Sequence, residues 1–176
     1  GVQYGMGPES LAKRIGEPVV KGRVLIQLHK ETFPDYWKWS NAVVNYAVTS
    51  GKLHSTLGWS FAVNGTANRR SLANWPVQTN GAEILRLAVI LATEAKIKVC
   101  CPVHDALLIE SPLENLEEDI RRCQEVMKQA GEIILQGFTL RTDVDRIHYP
   151  ERYMDERGKR MWGKVIKLLG GCESGQ

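Results

Sequence analysis

The sequence lacks the hydrophobic features that mark membrane and secreted proteins. It has no run of about 18 apolar residues and no positively charged start followed by an apolar segment. These absences argue against a membrane span and against a signal peptide. We therefore expect an intracellular chain.

Cysteine is scarce, and its spacing is unfavourable for metal binding. The four cysteines, Cys100, Cys101, Cys123 and Cys172, form no CxxC pair. Because adjacent residues of a strand point to opposite faces, Cys100 and Cys101 are poorly placed to share a zinc ion. We expect reduced thiols that serve mainly in packing.

The chain also lacks internal repeats, low-complexity blocks and a strong charge imbalance. Its 176 residues are 43% hydrophobic and 24% charged, with a formal net charge of +3. This composition is typical of a globular domain with one sizeable core. The mildly basic charge permits a polyanionic partner, but it is weaker than the footprint of most independent nucleic-acid-binding domains.

Hydrophobic periodicity predicts a helical first third followed by a hairpin and a long helix. The three predicted helices cover residues 9–15, 18–30 and 34–49. Short β-like runs punctuated by glycine predict a hairpin over residues 52–64. A core helix is then expected from Trp75, next to Pro76, as far as Lys96.

The second half of the chain predicts the order strand, strand, helix, strand. Two buried strands are expected over Val99–Val103 and Ala106–Glu110. A capping box at Ser111 predicts a helix that ends at Gly137, and the alternating residues 138–144 predict a returning strand. This order favours an α+β fold in which helices cover one face of a small, mostly antiparallel sheet. The mixed-charge end of the chain is expected to be frayed.

His104 and Asp105 interrupt the hydrophobic run between the two buried strands, and two interpretations are open. An aspartate at this place is a common turn residue, because it tolerates turn geometry and hydrogen-bonds its own backbone. Alternatively, the hairpin tip carries the carboxylate into a cleft, where a metal ion offsets the cost of its desolvation.

Three motifs, taken in order, resemble the carboxy-terminal part of family A DNA polymerases, the polymerase I type. The opening GVQYGM resembles the end of the fingers motif FGxxYG. A later segment resembles R-x3-N-x-P-x-Q, matched by Arg70, Asn74, Pro76 and Gln78. The third motif is the hairpin VHDE, matched by Val103, His104 and Asp105, with Ala106 in the place of the glutamate. The resemblance extends from Gly1 to about Tyr149 and indicates a phage-like or plasmid-like variant.

This resemblance implies a site for nucleotidyl transfer with two Mg²⁺ ions. Asp105 is implied as a metal ligand and His104 as a residue near the primer terminus; their alternatives are a turn aspartate and a partly buried histidine. Arg70 and Gln78 are implied to touch the minor groove of the primer–template, where acceptors lie at similar places in all base pairs. Asn74 shares their helical spacing, and the alternative for all three is capping and solvation.

Tyr4 and Gly5 are implied to lie next to the nascent base pair. The tyrosine ring is suited to stack on a base, and the glycine permits close approach of the backbone. The alternative for Tyr4 is an amphipathic core tyrosine.

The resemblance also implies residues that precede Gly1: a second palm aspartate and the fingers lysine and arginine that hold the triphosphate. We therefore expect a chain that is inactive without an amino-terminal portion of the same polymerase, or one with an exposed apolar patch. The expected divisions are a fingers-derived segment 1–51, a palm segment 52–150 and a mixed-charge segment 151–176. Primer–template DNA and a deoxynucleoside triphosphate are the other implied partners, in the cytoplasm of a bacterium or a phage-infected host. The alternative is a non-catalytic fragment that binds duplex DNA or acts as a scaffold.

Overall fold

The computed structural model of the protein describes residues 1–65 and 67–170. A 3₁₀ turn, Val2–Tyr4, precedes three helices, which are α1 (Pro8–Ile15), α2 (Val19–Thr32) and α3 (Pro34–Ser50). Two short strands, β1 (Lys52–His54) and β2 (Ser60–Ala62), lead to the long helix α4 (Arg69–Glu94). The remaining elements are β3 (Lys98–Val103), β4 (Ala106–Glu110), α5 (Leu116–Ile134) and α6 (Glu156–Leu168). The α+β class predicted from the sequence is confirmed.

Two antiparallel hairpins supply the β structure of the described residues. β1 pairs with β2, with Leu53 opposite Phe61. β3 pairs with β4, with Val103 opposite Ala106 and an irregularity between Val99 and Cys101. Both hairpins are where the sequence predicts them.

Helix α4 connects two hydrophobic cores. Near its amino end, Leu72 packs with Val44, Ala47 and Leu53 of α3 and β1. Near its carboxyl end, a second core forms around α4, β3 and α5; its buried members are Ala92, Ile97 and Cys123. Val99, Leu107 and Ile109 pack against this second core, so the β3–β4 hairpin is anchored on α4 and α5. This anchoring gives the hairpin tip a fixed base.

Helix α4 begins six residues before the predicted start at Trp75. Asn68 is its cap, and its side-chain oxygen accepts a hydrogen bond of 2.8 Å from the backbone N–H of Arg70. Pro76 therefore lies inside the helix rather than in its first turn. The prediction gave too much weight to proline as a helix start and too little to the asparagine cap.

The predicted strand over residues 138–144 is not formed. Residues 140–142 instead lie along α5, where Gln124 donates hydrogen bonds to the backbone and hydroxyl oxygens of Thr142 at 3.2 Å and 3.0 Å. Leu140 lies against Gly131 of the same helix. Alternation of apolar and polar residues specifies a face, but a strand also needs a neighbouring edge to pair with.

The capping box at Ser111 is also wrong, because α5 begins at Leu116. The Ser111 hydroxyl donates instead to the Asp119 carboxylate at 2.7 Å, across the turn over residues 112–115. Asp119 in turn accepts from Arg122 at 2.9 Å. Asp119, in the first turn of the helix, thus accepts the hydrogen bond of the Ser111 hydroxyl. In a capping box this hydroxyl would instead bond to the helix backbone.

The contacts divide the chain into two compact units, residues 1–142 and 143–176. The second unit contains α6, which is helical where the sequence predicts a frayed end. Asp155 caps this helix by accepting from the backbone N–H of Arg157 at 2.8 Å. Among the described residues, no helix is both long enough and apolar enough to cross a bilayer.

Candidate functional site

The tip of the β3–β4 hairpin presents Asp105 to solvent. The turn contains only His104 and Asp105, because Val103 and Ala106 are already paired across the hairpin. Both tip residues are exposed, whereas the strand residues Leu107 and Ile109 pack into the second core. The structure therefore holds an exposed carboxylate on a supported turn. Because Asp105 is not buried, its position is compatible with its interpretation as a metal ligand.

His104 has a backbone conformation that is uncommon for a residue with a side chain. Its φ is +56°, and Asp105 does not share this positive φ. A two-residue turn with positive φ at its first position only is the type that favours glycine there. Sparsely populated backbone conformations of this kind occur more often at functional positions than elsewhere. The sequence thus has a histidine at a position where a glycine would adopt the same backbone conformation without strain.

The far end of the same hairpin is closed by an ion pair. Lys98 Nζ lies 2.9 Å from a Glu110 carboxylate oxygen, at the first paired position of β3 and β4. The hydrogen bond from Lys98 to Glu110, and then their charge attraction, raise the pKa of Lys98. This pair joins the open ends of the two strands, opposite the turn.

No group of three or more His, Cys, Asp or Glu residues with metal-ligand geometry occurs in residues 1–65 and 67–170. Asp105 fits a divalent cation as one hard oxygen ligand on a rigid support. It does not make a complete site, because each such ion takes several oxygen ligands.

Of the polar residues of the second motif, Arg70 lies in the first turn of α4, and Asn74 and Gln78 lie further along the helix. Arg70, Asn74 and Gln78 are spaced by four, so they share one face of the helix. Arg70 and Gln78 are exposed, and Asn74 is partly buried. The sequence-predicted interface is thus a continuous stripe on a rigid element.

Two members of this stripe bind the backbone of the amino-terminal turn. Arg70 donates from Nε to the carbonyl oxygen of Tyr4, and Asn74 Nδ2 lies 3.5 Å from the same oxygen. From α3, the Tyr36 hydroxyl donates to the neighbouring carbonyl of Gln3 at 2.9 Å. Side chains of two helices therefore fix the 3₁₀ turn, and they leave the Tyr4 side chain half exposed.

Gly5 is required at its position for two reasons. Its φ is +79°, in the left-handed region that glycine adopts without penalty. A Cβ atom there would also lie 2.7 Å from Arg70 Cγ, well inside contact distance. The structure thus brings Tyr4, Gly5, Arg70 and Asn74 together. It records no contact from this group to Asp105.

Glu83 is a buried polar residue that sequence reasoning missed. It is 1% exposed and accepts hydrogen bonds from Ser55 Oγ at 2.5 Å and from the backbone N–H of Leu57 at 3.2 Å. These bonds tie the β1–β2 loop to α4. A signal was available, since Glu83 lies one turn before Leu87 on the predicted apolar face of the helix.

Acidic residues are almost absent from a long central stretch. Between Asp35 and Glu94 the sequence contains one acidic residue, the buried Glu83. The same stretch contains the basic residues Lys38, Lys52, Arg69, Arg70 and Arg86. The part of α3, the β1–β2 hairpin and α4 that lies between Asp35 and Glu94 is therefore basic, although the whole chain carries only +3.

Comparison with known proteins gives one consistent result. The model of DNA polymerase family A matches residues 1–145 of the chain. The chain belongs to DNA polymerase family A.

Relatives of this family A chain include the DNA polymerase I proteins of Aquifex aeolicus and Deinococcus radiodurans. The first is 30% identical over 151 residues, which cover 77% of the chain and 26% of the relative. The second is 26% identical over 146 residues, which cover 76% of the chain and 15% of the relative. The chain thus spans 15–26% of the length of these relatives.

A solved structure has the same fold as the family A chain. It is the POL domain of Pol1 from M. smegmatis, in complex with DNA primer–template and dNTP. The TM-score is 0.67 at 23% identity, over 74% of the chain and 26% of that structure. The shared fold thus covers about three quarters of the chain.

Proposed function

We propose that the chain is the carboxy-terminal portion of a template-directed DNA polymerase that transfers nucleotidyl groups by a two-metal mechanism. The observation that carries the proposal is the exposed Asp105 carboxylate on the supported hairpin tip of a family A chain. Relatives named DNA polymerase I, and a solved neighbour that holds primer–template DNA and dNTP, support the choice of reaction and partners.

In this proposal Asp105 is one ligand of the Mg²⁺ ions. When bound, such ions stabilise the attacking and leaving oxygens of the displacement. The chain contributes the position of the carboxylate, because β3 and β4 pack on α4 and α5 and hold the turn. His104, beside it on the same turn, is proposed to lie near the primer terminus.

The stripe of α4 is proposed to contact the primer–template duplex. Arg70 and Gln78 are exposed donors on one helix face, suited to acceptors that recur in the minor groove of every base pair. Arg70 serves in addition to hold the Tyr4 carbonyl. Tyr4 and Gly5 then face the nascent pair, and Asn74 supports their backbone. The scarcity of acid between residues 36 and 93 suits a phosphate-rich partner.

The remaining ligands are proposed to come from the amino-terminal part of the same polymerase. Asp105 alone cannot offset the repulsion between two divalent ions, so the isolated chain is expected to be inactive. A surface for this partner is available on α2, where Val20, Val24 and Leu28 form a stripe that is 50–70% exposed. We propose that the partner covers this stripe.

The segments 1–51, 52–150 and 151–176 are proposed as fingers-derived, palm and carboxy-terminal parts. The cytoplasm of a bacterium or of a phage-infected host is the proposed location. Ala106, in the place of the family's glutamate, is proposed to leave the metal site with a weaker supporting shell.

Primer extension tests the catalytic proposal. The chain is mixed with the amino-terminal part of its polymerase in the presence of Mg²⁺, primer–template and dNTP. Asp105→Asn preserves size and removes the charge, so extension should fall by at least about 100-fold. The matched control is Asp35→Asn, another exposed aspartate, which should extend like wild type. Retention of wild-type extension by Asp105→Asn would refute the metal-ligand role.

The basic surface around α4 also favours a second candidate, a fragment that binds duplex DNA without catalysis. It predicts salt-sensitive duplex binding that neither Mg²⁺ nor Asp105→Asn alters. Binding by anisotropy and extension by gel therefore separate the two candidates.

A further inference from the structure

The loop of the β1–β2 hairpin is fixed in one conformation. Ser55 Oγ donates to the buried Glu83 and accepts from the backbone N–H of Trp59 at 2.8 Å. The backbones of Ser55 and Trp59 are also joined by a hydrogen bond of 2.8 Å, and Gly58 supplies a φ of +90°. Because these hydrogen bonds fix the loop, its backbone loses little conformational entropy when a partner binds to its side chains.

This fixed loop exposes apolar side chains instead of burying them. Trp59 is 62% exposed and Leu57 is 56% exposed. The guanidinium of Arg86, from α4, lies 4.8 Å from the centre of the Trp59 ring. Below them, Phe61 lies 6.1 Å from Trp75, measured between ring centres. A rigid, solvent-accessible indole is therefore presented next to a cation.

The charge around this indole is suited to a polyanion. The hairpin and its flanks, residues 36–82, contain no acidic residue; of the two acids that border this range, Glu83 is buried and Asp35 is exposed and paired with Lys38. Lys52 and Arg86 are exposed on the hairpin and on α4. A partner whose backbone is a chain of phosphates therefore gains more electrostatic binding free energy at this surface than an apolar partner that is neutral or negative.

We propose that Trp59 is a stacking platform for an unpaired base of single-stranded nucleic acid, in this chain the template overhang. The proposal rests on the polymerase function proposed above. Every base has a π face that an exposed aromatic ring can cover, and Arg86 adds a cation for the neighbouring phosphate. In a duplex the base faces are already stacked on one another. The platform therefore acts on unpaired nucleotides and not on paired ones.

Two DNA probes test the platform in the 176-residue chain. One is a hairpin duplex with a 5′ overhang, and the other is the same duplex with a blunt end. Trp59→Ala should weaken binding to the overhang probe by about 5- to 150-fold, which corresponds to about 1–3 kcal/mol for one stacked base. Binding to the blunt probe should not change. Trp59→Phe, which keeps a π face, should retain most of the preference for the overhang.

The matched control is Trp162→Ala in α6, where the indole is also half exposed. It should change binding to neither probe. The platform would be overturned if Trp59→Ala lost the same affinity for both probes, or lost affinity for neither. It would also be overturned if Trp59→Phe bound the overhang probe as weakly as Trp59→Ala. Equal affinity of the wild-type chain for the two probes would overturn it too and leave the proposed polymerase function standing. Failure of the wild-type chain to bind either probe would count against both proposals.

Discussion

Replacement of Glu83 by alanine should destabilise the first unit strongly. The change removes the acceptor of the Ser55 hydroxyl and of the Leu57 N–H, at a site where the side chain is 1% exposed. A hydrogen bond contributes about 0.5–1.5 kcal/mol net, so the loss of the bonds from these two partly buried donors gives about 1–3 kcal/mol. The small cavity left in α4 acts in the same direction.

The free energy of unfolding from urea titration measures this loss. Glu83→Gln retains one oxygen acceptor at the same place and should lose about half as much. Glu94→Ala is the matched control, because Glu94 is an exposed glutamate near the end of the same helix. Its effect should stay within about 0.5 kcal/mol.

Thermal unfolding gives a second measurement. A loss of about 3 kcal/mol lowers Tm by about 6–12 °C in a chain of this size. If Glu83→Ala unfolds within about 0.5 kcal/mol of the wild-type chain, the scale expected of a surface change, the two hydrogen-bonding contacts of Glu83 do not hold the loop and the reasoning is wrong.

The remaining predictions concern glycine and cysteine. Gly22→Ala should destabilise the chain in a urea titration, because the new Cβ in α2 would lie 2.5 Å from the backbone oxygen of Pro8 in α1. Gly81→Ala, in α4 with no atom within 4 Å of its Cβ, should instead stabilise by about 0.5–1 kcal/mol, and a gain in both variants would contradict the packing. Burial raises the pKa of the Cys123 thiol, whereas Cys100 is exposed. Iodoacetamide should therefore alkylate Cys100 before Cys123 at pH 8, and peptide mapping that finds Cys123 modified before Cys100 would contradict the burial of Cys123.

Much of the fold could be predicted because it depends on local patterns. The hairpin at His104–Asp105 follows from two apolar runs that meet at a two-residue turn, and its position is confirmed. The strand predicted over residues 138–144 failed because pairing depends on a neighbour, which alternation within one segment does not specify. The amino end of α4 was misplaced because a proline is tolerated within a helix when tertiary packing holds both sides.

The candidate site, like the fold, could be predicted from the sequence only in part. Motif residues such as Asp105 and Arg70 could be named from the sequence, and their exposure is compatible with the roles expected of them. The hydrogen bond from Arg70 to the Tyr4 carbonyl joins residues 66 positions apart, so no local pattern signals it. For Glu83, the apolar face of α4 signals burial, but its partners lie on a hairpin more than 20 residues earlier in the chain, so the local pattern does not identify them. Contacts between distant segments depend on the fold as a whole.

Pro76 has a consequence for how α4 opens. Proline has no amide hydrogen, so the ladder of helical hydrogen bonds lacks the rung that would end on the Leu72 carbonyl. That gap separates the turns around Leu72 from those around Ala92. The turns before Pro76 can thus open while the turns after it stay closed. Amides of residues 70–75 should therefore exchange with deuterated water sooner than those of residues 84–92.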